Sequence, residues 1–276
     1  MRQRELQRSK QFRCACELCT DALEADRCGG FMRCLACNRG WQHLHEDNER
    51  AGQVWWQCVA CGAVTSHDQV VKWDDEQRAR LASLLPVDGA SSEQVEPRLR
   101  AFIHDALRTC HPNHAIVLQA RLALVAFGFD DSDEEEAPGA TTDCTGLQRK
   151  LHAATEALQL AERILPQDDP QKADLLFQMG CAQHEIAHRT MTAAKRQLTM
   201  AATEAGRAGA GVTPTTAMVH AAALEAARSA SEATKAAADS FVRSARLWAS
   251  AHSQGEEAPP CKAAKEFAKL CLASLR

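Results

Sequence analysis

CLACNRGWQHLHEDNERAGQVWWQCVAC, residues 34–61, is the stretch that decides the fold of the first part of this 276-residue chain. It begins with the pair Cys34 and Cys37, ends with the pair Cys58 and Cys61, and leaves 20 residues between the pairs. Two residues between thiolates let both sulfurs face one ion, and this spacing is close to that of a four-cysteine zinc ribbon. We therefore predict a zinc site here; a reactive dithiol is the alternative.

The residues that follow the two pairs suit tight turns. Asn38 follows the first pair, with Gly40 behind it, and Gly62 follows the second. Glycine and asparagine tolerate the left-handed backbone that such turns require. Each pair is therefore predicted to form a compact knuckle.

A second group of cysteines lies upstream. Eight of the thirteen cysteines fall within the first 61 residues, and three that precede the ribbon are Cys14, Cys16 and Cys19. A closed zinc site takes four ligands, and Cys28 is the nearest unassigned cysteine. This predicts a second four-cysteine site and about two zinc ions in all. Cys28 could instead be a small buried apolar residue, and His43 or His45 could compete for the fourth position.

The N-terminal sequence and the composition indicate the compartment and the kind of partner. The basic, polar start MRQRELQRSK contains no apolar signal segment, and no stretch reaches the roughly 18 apolar residues of a membrane span. We expect a cytoplasmic or nuclear protein that does not associate with a membrane. In that reducing compartment, clustered Cys-x-x-Cys pairs bind metal rather than form disulfides. The net charge of −4 argues against nucleic acid as a partner.

Two segments resemble one enzyme family. RQRELQRSKQFRCACELC, residues 2–19, resembles the post-SET segment of the SET-and-MYND (SMYD) protein-lysine methyltransferases, and CHPNHAIVLQARLALVAFG, residues 110–128, is similar to a helix start in their tetratricopeptide-like C-terminal domain. The resemblance implies that Cys14, Cys16 and Cys19 bind zinc, with a fourth ligand from an upstream SET domain in that family. It also implies that Phe12 lines the wall of a lysine channel.

The chain also departs from that family. The SET core, its Asn-His-x-Cys segment and the MYND finger have no counterpart, and the sequence contains no tyrosine, the family's catalytic residue. We expect a chain that corresponds to the C-terminal part of such a protein. No catalytic residue is assigned, and S-adenosylmethionine would be a cofactor only if a SET core were supplied.

The remainder of the sequence predicts helices. Apolar periodicity, caps and prolines indicate helices that begin at Asp74 or Asp75 and end at Leu85, and then over 91–109, 116–127, 147–165, 169–206, 214–253 and 261–275. The acidic run near 129–143 indicates a loop. The predicted fold is mainly α: a zinc-stabilised module over 1–73, resembling post-SET and zinc-ribbon segments, followed by an antiparallel, tetratricopeptide-like helical array over 74–276.

These features predict a zinc-binding protein-interaction module derived from a SET-domain methyltransferase. The expected partner is a protein or peptide, with histones or other lysine substrates as candidates. The alternative is a methyltransferase half that acts with a SET core.

His184-Glu185-Ile186-Ala187-His188 matches the H-E-x-x-H pattern of metalloproteases. It lacks an evident third protein ligand, so we interpret it as part of a helix.

Overall fold

The computed structural model describes residues 10–12, 14–15, 27–46, 54–85, 92–127, 129, 144–208, 214–251 and 259–275. It divides into two compact units. The first takes Met1–Gly128 and Gln159–Leu165, and the second takes Phe129–Leu158 and Pro166–Arg276. Each unit is described by itself below. The predicted boundary after residue 73 stays a prediction, although the first unit groups three helices with the sheet.

A four-stranded antiparallel sheet lies at the start of the first unit. Its strands are β1 (Met32–Arg33), β2 (Trp41–Glu46), β3 (Val54–Cys58) and β4 (Val64–Ser66), paired in chain order. In such a meander the β1–β2 and β3–β4 turns lie at the same end of the sheet. Cys34 and Cys37 belong to the first of these turns, Cys58 ends β3, and Cys61 belongs to the second turn.

Helix α1 (His67–Leu84) follows β4 directly. The Ser66 hydroxyl accepts a hydrogen bond from the Gln69 amide, and the Gln69 side chain accepts one from the Ser66 amide, both at 3.3 Å. This reciprocal capping box satisfies two backbone donors that would otherwise lack partners. The predicted start at Asp74 or Asp75 is therefore wrong, because Ser66 supplies an earlier and complete cap.

Helices α2 (Ser92–Thr109) and α3 (Ala115–Phe127) pack against each other through side chains that are almost fully buried. The turn between them contacts the segment that leads into β1: the His111 amide donates to the Phe31 carbonyl at 2.9 Å, and the Ala115 amide donates to the Gly29 carbonyl at 2.8 Å. His114 precedes the helix, and its Nδ1 accepts from the Ile116 amide at 3.2 Å.

The second unit is built from long helices. Helix α4 spans Thr145–Ile164, and its residues from Gln159 onward belong to the first unit. Helix α5 spans Pro170–Ala208, α6 spans Pro214–Ala251 and α7 spans Pro259–Ser274. Hydrogen bonds from Ser244 to the Ala173 carbonyl and from Ser240 to the Gln183 side chain show that α5 and α6 run antiparallel. The Cys261 thiol donates to the Ala245 carbonyl and places the start of α7 near the end of α6.

Small residues let these helices approach closely around one aromatic side chain. Phe241 is fully buried between Phe177 at 5.4 Å and Phe267 at 5.2 Å, measured between ring centroids. Gly180 faces the Phe241 ring, and a Cβ at residue 180 would lie 2.7 Å from it. The aromatic ring therefore occupies the space that a larger residue at 180 would need.

The predicted fold class is confirmed: the chain is mainly α, with a small strand region that carries a cysteine cluster before the helices. The six later predicted helices lie within two residues of those observed. None of the described helices combines the length and hydropathy needed to cross a membrane.

Gly180→Ala should lower the thermal midpoint of unfolding by several degrees. Alanine improves helix propensity by about 1 kcal/mol, but overpacking against a buried ring typically costs about 1–3 kcal/mol. Gly146→Ala is the matched control, because nothing lies within 4 Å of a Cβ at that helical position. The comparison requires circular dichroism melts of both variants. Equal or higher midpoints for Gly180→Ala would contradict the close packing.

Candidate metal centre

Four cysteine sulfurs converge at the end of the sheet where its two knuckle turns meet. The Sγ atoms of Cys34, Cys37, Cys58 and Cys61 all lie within 4.8 Å of one another. The Cys34–Cys61 and Cys37–Cys58 sulfur distances are both 3.7 Å. Tetrahedral zinc with Zn–S bonds of about 2.3 Å sets neighbouring sulfurs roughly 3.8 Å apart. The donor set and its dimensions therefore fit one zinc ion.

The first knuckle is closed by its own backbone. The Asn38 amide donates to the Cys34 carbonyl at 2.8 Å, and the Cys34 amide donates to the Gly40 carbonyl at 2.9 Å. Asn38 adopts a φ of 55°, the left-handed conformation predicted for it. The Gly40 amide donates to the Cys37 sulfur at 3.4 Å, a contact that favours a thiolate.

The second knuckle repeats this arrangement. The Gly62 amide donates to the Cys58 carbonyl at 3.0 Å, and the Cys58 amide donates to the Ala63 carbonyl at 2.9 Å. Gly62 has a φ of 73°, and the Ala60 amide donates to the Cys58 sulfur at 3.4 Å. Asn38 and Gly62 thus take the left-handed backbone predicted for the turn residues, and Gly40 does not.

Gly40 is required for a reason that the sequence pattern did not reveal. A Cβ at residue 40 would lie 2.5 Å from the Cys58 sulfur and 2.7 Å from the Ala60 Cβ. The two knuckles therefore approach each other across this glycine. A turn-forming glycine next to a cysteine pair was visible in the sequence, but its contact with the other pair depends on the sheet.

The thiols of the cluster differ in acidity. Backbone amides of Arg39 and Gly40 lower the pKa of Cys37 to about 6. For Cys61, the Ala63 amide acts in the same direction, but desolvation and hydrogen bonds with the other three sulfurs raise its pKa to about 12. Because metal ligands must be deprotonated, binding of an ion releases protons, and affinity decreases as the pH is lowered.

The other predicted ligands are not brought together among the described residues. Cys16 and Cys19 lie outside those residues. Cys28 is buried with a φ of 49°, and Cys14 is half-buried. Within the described part of the chain, only the four knuckle cysteines form a group of three or more residues suited to a metal. The upstream site and the second zinc ion remain predictions, as does the role of Phe12, which is about half exposed.

The H-E-x-x-H helix has a different local chemistry. The Arg189 guanidinium, one turn further along α5, donates a hydrogen bond to the Glu185 carboxylate at 2.7 Å and forms an ion pair with it. His188 is exposed, and His184 is half-buried. This is the ordinary i, i+4 pairing of a helix surface.

Aromatic and imidazole side chains cover the sheet face that carries Trp41. Cross-strand register places Arg33, His43, His45 and Trp55 on the same face. The Arg33 guanidinium lies 4.9 Å from the Trp41 ring centroid, and His45 stacks on Trp55 with ring centroids 5.9 Å apart. The alternation in WQHLHE was the sequence signal for this face, since alternate strand residues share a side.

Comparison with models of known protein families finds no match, and no curated protein is significantly similar to the chain. The functional interpretation therefore rests on the residues of the site.

Gly40→Ala should weaken zinc binding by about tenfold or more, because the added methyl group would separate the knuckles and misplace the Cys58 sulfur. Gly29→Ala is the matched control, since a Cβ there meets nothing within 4 Å. Cys58→Ser, which removes a ligand, should lose the ion. Competition with a chromophoric chelator measures the zinc affinity of all three variants. Wild-type affinity in Gly40→Ala would contradict the geometry of the site.

Proposed function

We propose that this chain is a zinc-stabilised protein-interaction module. This proposal rests on the convergence of the four knuckle sulfurs, supported by amide donors to Cys37 and Cys58. Four thiolates fill the tetrahedral positions of zinc and leave none for water or substrate. Such a closed site stabilises a fold, and catalytic zinc sites keep a position open.

The sheet face with Trp41 and Trp55 is the surface that we assign to a partner. Both indoles are half-buried: Arg33 and His111 contact Trp41, His45 stacks on Trp55, and part of each ring remains exposed. Tryptophan and arginine are enriched among the residues that dominate binding energy in interfaces. Tryptophan faces also attract ammonium and guanidinium groups.

A basic peptide is therefore the partner that we propose for this surface. The chain carries a net charge of −4, which adds a general attraction for lysine-rich segments. Histone tails and other lysine-bearing proteins belong to this class. The zinc site contributes indirectly, because its two knuckles set the positions of strands β1 to β4.

Trp55→Ala should weaken the binding of a lysine-rich histone tail peptide by about tenfold or more, through loss of an aromatic contact. Isothermal titration calorimetry measures the affinity at fixed salt concentration. Leu224→Ala is the control, because Leu224 is an exposed apolar residue on α6 in the second unit. No peptide binding by the wild-type protein, or equal losses in both variants, would contradict the assigned surface.

A second proposal is that the chain is one half of a protein-lysine methyltransferase. The motif Cys14-Ala-Cys16-Glu-Leu-Cys19, with Phe12 before it, supports this ancestry through its resemblance to a post-SET segment. Methyl transfer requires a cofactor and an amine held in line, which takes a complete pocket. In that family the SET core supplies this pocket.

The isolated chain should bind no S-adenosylmethionine in calorimetry, and activity should appear only when a separate SET fragment is added. Transfer of labelled methyl groups to histones measures that activity. Phe12→Ala should then reduce it, because the aromatic ring would line the lysine channel. Saturable cofactor binding by the chain alone would contradict this proposal, and so would full activity in the Phe12 variant.

A further inference from the structure

Two histidines on strand β2 direct the same ring nitrogen toward one another. His43 and His45 are two residues apart and therefore share one face of the strand. Their Nε2 atoms lie 3.1 Å apart, and their ring centroids are 4.2 Å apart. These two nitrogens are distinct from the four sulfurs of the knuckle site.

The distance between the nitrogens suits a shared metal ion. Zinc–imidazole bonds are about 2.0–2.1 Å long, so an ion bonded to both nitrogens would subtend an angle of roughly 100°. This value lies between the tetrahedral and square or octahedral angles of borderline transition metals. The pair can thus act as a chelate without a change in the separation of its donor atoms.

Neighbouring aromatic rings hold both imidazoles in place. His43 stacks on Phe31 with centroids 5.8 Å apart and an interplanar angle of 21°, and His45 stacks on Trp55 at an angle of 7°. Phe31 is itself buried. Fixed donor orientation reduces the ordering cost of binding, as in preorganised sites generally.

The geometry points to a second metal site formed by His43 and His45, which takes a divalent borderline ion such as Zn²⁺ or Ni²⁺. Imidazole is a suitable ligand for these metals. Within the described residues no third ligand completes this pair.

A direct hydrogen bond between the rings is the competing explanation for the same distance. In that case one Nε2 carries a proton and donates it to the other. Metal binding requires both Nε2 atoms to be deprotonated, with the ring proton on Nδ1 instead. The two arrangements therefore differ in where the protons are and in how the rings respond to metal.

Nickel titration of the full, tag-free, zinc-loaded chain tests the site. Calorimetry should show one Ni²⁺ equivalent, bound at least tenfold more weakly in His45→Gln and in His43→Gln. His104→Gln is the matched control, because His104 is exposed on α2, and its affinity should equal that of the wild type. Ultraviolet absorption should show no sulfur-to-nickel charge-transfer band, which separates this site from the thiolate cluster.

Nuclear magnetic resonance on the unmodified chain supplies a test that does not depend on variant folding. Substoichiometric Ni²⁺ should broaden the imidazole signals of His43 and His45 together, before those of the other nine histidines. Retention of an Nε2 proton by either ring at saturating nickel would overturn the proposal in favour of a hydrogen bond. Unchanged nickel affinity in His45→Gln, or a strong thiolate band, would overturn it as well.

Discussion

The first unit depends on the requirement that four sulfurs meet at one end of a small sheet. Its strands have only two, six, five and three residues, and sheets of this size gain little stability from their own ladder. Antiparallel order brings the β1–β2 and β3–β4 turns to the same end, so the knuckles can share an ion. The ion would then join the two hairpins, just as the sheet brings the knuckles together. Metal binding and folding are coupled in sites of this kind.

Much of the helical part could be predicted because its signals are local. Pro170, Pro214 and Pro259 stand at the first residues of α5, α6 and α7, where proline's missing amide costs no helical hydrogen bond. The start of α1 was missed for an equally local reason. Ser66 and Gln69 form the capping box, but they follow a strand without an intervening loop. Asp74 and Asp75 are stronger cap signals in the sequence, so they were chosen instead.

The metal centre was predictable only in part. Cys-x-x-Cys spacing and the turn residues are short-range features, and they identified the four cysteines that the structure brings together. The close approach of Gly40 to Cys58 spans two hairpins, so it depends on register that no periodicity indicates. The aromatic face has the same origin. His43 and His45 were visible as candidate ligands, but their placement between Phe31 and Trp55 follows from β2 pairing with β3 and from the chain entering β1.

The closed thiolate cluster and the histidine pair are linked through one strand. Gly40 ends the first knuckle, and β2 begins at the next residue, so the position of Cys37 sets the start of the strand that carries both histidines. The second knuckle acts on the same strand, because the Val59 amide donates to the Trp41 carbonyl at 3.0 Å. Loss of the structural ion would release both constraints and allow the imidazoles to leave their aromatic neighbours. The entropy of ordering them would then oppose chelation. An ion held by the four thiolates would in this way control how well the proposed histidine site binds its metal.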